Sequence, residues 1–142
     1  MIINSNVVGI VADDLTGATD SALQFRLRGA DTQILLDDCN EICDVNESQI
    51  WAVSTESRNI TPNDAYEKVK QTTEFFSNVL NPDYFFKKID STVRGNIAVE
   101  CLGVLEVLGW DAVVVIPAFP RESRITVGCY HMLKGEPSGR TE

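Results

Sequence analysis

The sequence predicts an α/β fold: a doubly wound, mostly parallel sheet with helices on both faces. Short β-branched, apolar runs such as Val7–Ala12, Ile50–Thr55 and Ala112–Pro117 alternate with longer segments of helical spacing. Parallel strands must be joined by helix-sized crossovers, so this alternation reads as successive strand–helix–strand units. The runs carry few polar residues, as expected of strands covered on both faces.

Each element follows from local signals. Val7–Ala12 is the first strand and stops at two adjacent carboxylates, Asp13 and Asp14. A helix over 17–28 sets Ala18, Ala22 and Phe25 on one face and stops at Gly29. Thr32–Asp37 and Ile50–Thr55 are the second and third strands. Thr61 and Pro62 fit the N-cap and first position of the next helix. Its Ala65, Val69, Thr72 and Phe76 recur at helical spacing up to Asn81-Pro82. Tyr84–Ile89 is the fourth strand. Ile97, Cys101, Val104 and Leu108 line a third helix closed by Gly109. Ala112–Pro117 is expected as a fifth strand, and the polar tail Leu133–Glu142 reads as a chain leaving its domain.

The chain has 142 residues, the length of one domain, taken as 1–142. Its 44% hydrophobic and 23% charged content is that of an ordinary globular protein. A net charge of −9 argues against nucleic-acid backbones and anionic membrane surfaces. No apolar run approaches the ~20 residues of a membrane span, and the start lacks the basic region of a signal peptide. A cytoplasmic location is expected, with Cys39, Cys43, Cys101 and Cys129 as free thiols. Cys39 and Cys43 lack a second ligand pair and His131 is the lone histidine, so no metal site is expected.

In an open parallel sheet, ligands bind beyond the carboxyl ends of the strands. Four polar clusters fall there: Asp13-Asp14, Ser54–Arg58, Lys87–Asn96 and Pro117–Thr126. Singly, each has an ordinary explanation. Asp14 or Thr16 would cap the first helix, and Asp90, Ser91 and Thr92 would form a turn. Arg58 would be a solvated side chain and His131 a packed or surface one. Together they suit a small, hydroxylated anion, with aspartates and hydroxyls for a polyol. Arg58 and Arg94 offer planar forks for carboxylate or phosphate. Asp13 or Asp14 could accept a hydroxyl proton or help to hold Mg²⁺.

The motifs ADDLTGATD (12–20), STESR (54–58), KKIDSTVRGN (87–96) and the stretch from PAFP to Gly128 (117–128), in this order, resemble the four-carbon acid sugar kinase family. The resemblance covers essentially the whole chain. It implies an N-terminal acid-sugar-binding domain, normally followed by a nucleotide-binding domain that is absent here. The activity implied is ATP-dependent phosphorylation of a terminal hydroxyl of threonate, erythronate or an oxo-tetronate. ATP and Mg²⁺ would serve the full-length enzyme, with neither bound by this domain alone. Carried over by motif, Asp14, Arg58 and the turn Asp90, Ser91, Thr92 and Val93 contact the substrate. Arg94 neighbours its carboxylate or the transferred phosphoryl group. Asp14, and after it Asp13, is the acid that would serve catalysis. Arg121, Glu122 and Ser123 depart from the small residues the family more often has before its arginine, so no role passes to Arg124 or Thr126.

No phosphate-cradling G-x-x-x-x-G-K-[ST] stretch is present, so this chain alone is expected not to phosphorylate. Its expected partners are a small sugar acid and the missing domain, not nucleic acid or membrane, with a homodimer left open. The alternative is a stand-alone, non-catalytic sugar-acid-binding or sensor module. A signalling receiver would need an aspartate where Ser54, Thr55 and Glu56 stand. The outline is Rossmann-like, but a dinucleotide pyrophosphate at the first turn would meet Asp13 and Asp14.

Overall fold

The structure is a computed structural model and describes residues 6–36 and 48–140. Four strands, β1 (Val8–Ala12), β2 (Thr32–Leu35), β3 (Ile50–Ser54) and β4 (Tyr84–Lys88), form a parallel sheet in the order β2-β3-β1-β4. Helix α1 (Leu15–Arg26) joins β1 to β2, α2 (Pro62–Phe75) lies between β3 and β4, and α3 (Ile97–Leu108) follows β4. Successive residues of a strand face opposite ways, and here each face has its own core. Ile10, Ala12, Ile50 and Ala52 pack with Ala18 and Ala22 of α1. Val11, Trp51 and Val53 pack on the other side with Val69 of α2, Phe76 and Val104 of α3. Gly9 leaves room for Phe76: a Cβ there would stand 3.0 Å from the ring.

The chain departs from expectation after α3. Ala112–Pro117, expected as a fifth strand, pairs with no other segment among the described residues, and Val114 and Ile116 are 83% and 74% exposed. A β-branched run carries a tendency; a strand also requires docking on a sheet edge and side-chain cover, and this run has neither among the described residues. The far edge of β4 stays open, because β4 pairs only with β1 among these residues.

An antiparallel sheet of β5 (Arg124–Val127), β6 (Tyr130–Leu133) and β7 (Glu136–Pro137) follows, so the tail from Leu133, expected to leave the domain, instead starts on the end of β6 and supplies β7. The sheet's two-residue turns demand left-handed backbone, and Gly128 (φ 59°), Lys134 (φ 51°) and Gly135 (φ 90°) supply it. Cys101 is buried and Cys129 exposed, both as free thiols. Cys39, Cys43 and the expected strand end at Asp37 lie outside the described residues. Among the described residues no helix is long and apolar enough to cross a membrane.

Candidate functional site

Parallel register brings three strand ends together: Ala12 of β1 stands opposite Ser54 of β3 and Lys88 of β4. The polar segments that follow these strands therefore share one rim. Asp13, only 2% exposed, receives Arg58 Nε on Oδ2 at 2.8 Å and Nη2 on Oδ1 at 3.1 Å. Arg58 Nη1 lies 2.5 Å from Asp14 Oδ2. Asp14 Oδ1 accepts the Gly17 amide at 2.7 Å, so Asp14 is helix cap and ion-pair partner at once. The hydrogen bond to Asp13, and then the charges of the aspartates, raise the pKa of Arg58 further, against partial burial.

The backbone around Arg58 is built for this placement. Gly95 has φ 90°, and a Cβ there would come within 3.1 Å of Arg58 Cγ. Asn96 precedes α3 but does not cap it with its side chain; its amide instead donates to the Ser57 and Ile60 carbonyls, each at 2.9 Å.

The turn at the end of β4 is organised around Asp90. Thr92 Oγ1 donates to Asp90 Oδ2, and Arg94 donates from Nε (2.8 Å) and Nη2 (3.2 Å) to the two carboxylate oxygens. Burial alone would raise the Asp90 pKa, but the hydrogen bonds from Arg94 and Thr92 outweigh it and hold the carboxyl well below its usual range. Val93 sits at φ 65°, a left-handed conformation that costs a β-branched residue energy.

Three residues without an assigned role come to this rim. Arg124 Nη1 donates to Ser91 Oγ. His131 Nε2 lies 2.7 Å from the Ser91 carbonyl, which can only accept, so Nε2 carries the proton. Thr126 Oγ1 is 3.2 Å from His131 Nδ1. The β5–β6 hairpin thus clamps the 90–94 turn. The signals that could have found it were the glycine turns that fold the tail back.

Beneath the rim runs a buried polar chain. Lys87 Nζ meets Glu100 Oε2 at 2.7 Å, both side chains almost fully covered. Ser57 Oγ donates to Glu100 Oε1 at 2.7 Å and lies 2.7 Å from Thr55 Oγ1, which in turn donates to the Ala12 carbonyl at 2.9 Å. Glu100 was missed because Ile97, Cys101, Val104 and Leu108 made that helix face read as wholly apolar. Lys88, pointing to the opposite face from Lys87, donates to the Ile89 carbonyl at 2.7 Å.

Asp14, Arg58, Asp90, Ser91, Thr92, Val93 and Arg94 therefore share one rim, with Asp13 buried under it. Arg58 and Arg94, expected beside a ligand's charge, are also each paired with the protein's own carboxylates. No three His, Cys, Asp or Glu side chains among the described residues are grouped to hold a metal ion. Both Asp13 oxygens face Arg58, and a phosphate at the start of α1 would meet the Asp14 carboxylate.

Residues 8–142 match the family model described as a sugar-binding N-terminal domain. The chain is 37% identical over 140 residues to a D-erythronate kinase of Heliobacterium modesticaldum, covering 97% of this chain and 31% of that protein. It is 33% identical over 128 residues to a D-threonate kinase of Cupriavidus necator, covering 90% and 30%. A 3-oxo-tetronate kinase of the same organism is 30% identical over 135 residues, covering 92% and 31%. The chain thus spans about three-tenths of the length of these relatives. Among solved structures, a Bordetella bronchiseptica domain of unknown function, a domain-swapped dimer with bound citrate, superposes with a TM-score of 0.88 at 34% identity, covering 94% of this chain and 34% of that one.

Proposed function

The chain belongs to the sugar-binding N-terminal domain family, and from that premise we propose that it forms the substrate-binding part of an ATP-dependent kinase acting on a terminal hydroxyl of a four-carbon sugar acid. The observation that carries this reading is the rim itself. Two carboxylate–arginine pairs, Asp14–Arg58 and Asp90–Arg94, follow the carboxyl ends of β1, β3 and β4, with the Thr92 hydroxyl on Asp90.

In this reading Asp14, partly exposed, accepts a ligand hydroxyl. Asp13, covered and held at both oxygens, keeps Arg58 in place. The Asp90–Val93 turn supplies donors and acceptors along the carbon chain, and Arg94, largely exposed, borders the anion. Phosphoryl transfer asks mainly for positioning and charge neutralisation, which a rigid, hydrogen-bonded rim provides. ATP and Mg²⁺ would be held by a second domain.

A thermal-shift titration tests the reading. D-Erythronate and D-threonate are titrated against the 142-residue chain, with erythritol and threitol as neutral controls. An acid at a hundred times its Kd should stabilise the fold by about 2.7 kcal/mol, while the matching tetritol gives little. No shift with any acid overturns the proposal.

A further inference from the structure

Three of the rim's cations have carboxylate partners: Lys87 is paired with Glu100, Arg58 with Asp13 and Asp14, and Arg94 with Asp90. Arg124 donates to the neutral Ser91 hydroxyl instead. Lys88 likewise has a neutral partner. Its ammonium is partly buried, and among the described residues its one side-chain partner is the Ile89 carbonyl, with no carboxylate at ion-pair distance. An ammonium that gives one of its three donors to a neutral carbonyl keeps the others for an incoming anion.

Its surroundings define what that anion would be. Lys88 ends β4 on the sheet face covered by α1, beside Gly17. A Cβ built on Gly17 would stand 2.7 Å from Asp14 Oδ1, 3.3 Å from Lys88 Cγ and 3.5 Å from Lys88 Nζ. Asp14 Oδ1 and Lys88 Nζ therefore lie no more than about 6 Å apart, yet form no direct ion pair. One small ligand group can touch both. A 2-hydroxy acid carries a carboxylate, which suits the ammonium, on the carbon next to a hydroxyl, which suits the aspartate.

We infer that Lys88 is the specificity-determining residue for the acid: it receives the substrate's carboxylate while Asp14 receives the adjacent hydroxyl. This rests on the sugar-acid reading above and deepens it. Arg58 and Arg94 then shape the rim, and Lys88 tells an acid from its tetritol.

The test is isothermal titration of the 142-residue chain and its variants with D-erythronate and D-threonate, with melting shifts for the two tetritols. Lys88→Met should weaken acid binding by roughly tenfold to a hundredfold, the worth of a charge-assisted hydrogen bond, and leave the tetritol response unchanged. Lys88→Arg should recover part of the loss. Should Lys88→Met not fold, Lys88→Gln keeps a donor for Ile89 and should show the same loss. Acid binding by Lys88→Met or Lys88→Gln equal to wild type overturns this inference alone. So does an Arg124→Ala variant that loses the acid preference in their place. Failure of the wild-type chain to bind any acid overturns the sugar-acid reading and the inference with it.

Discussion

With three nitrogens on two carboxylates, Arg58 closes the rim, and its removal would leave Asp13 charged and covered with no partner. Breaking a buried pair in this way costs about 3–5 kcal/mol. Arg58→Ala is therefore expected to lower the urea midpoint by that equivalent. Arg58→Lys restores the charge but not the two-pronged contact, and should fall between. A midpoint for Arg58→Ala within about 1 kcal/mol of wild type, the worth of a surface pair, would rule out this structural role. The contact joins residues 45 positions apart. Local patterns put both residues at strand ends, but no local rule says which arginine meets which aspartate. The sequence places Arg58 on the rim as a ligand contact; its pairing with Asp13 appears only in the folded chain.

At the level of the element, the 90–96 turn is a unit that pH should loosen. Folding lowers the pKa of Asp90, so its stabilisation is present above the unfolded value of about 3.9 and is lost as pH falls through the folded one. Asp90→Asn should reduce stability near neutrality and flatten its decline below about pH 4. Urea midpoints across that range check this, and an acid limb as steep as wild type would contradict it. The elements of the parallel sheet were legible because burial on both faces writes itself as continuous apolar runs, as in Val8–Ala12 and Ile50–Ser54. The antiparallel sheet was not. Its strands are short and half-exposed; Gly128 reads as the end of the 117–128 motif and Lys134-Gly135 as part of a polar tail, though both are turn signals in their own right. Ala112–Pro117 failed in the opposite direction, with a strong strand pattern but no partner to pair with.

For the whole molecule, a charge of −9 and an isoelectric point near 4.5 describe a particle that repels its own copies at neutral pH. That repulsion has a counterpart in the unpaired segment after α3. Val113, Val114, Val115 and Ile116 form an exposed, uncharged β-branched run, the kind of strip that seeds cross-β stacking between molecules. Colloidal behaviour should then be a contest between the two. Light scattering from the domain is expected to rise as pH approaches 4.5, where the like charge disappears. Val114→Lys separates the causes, since it moves the net charge from −9 to −8 while placing a gatekeeper in the strip. If charge alone kept the molecules apart, this variant would cloud sooner; with the strip as the adhesive, it stays clear longer. The same exposed valines and isoleucine that leave the sheet one strand short would thus set the concentration at which the isolated domain can be kept in solution.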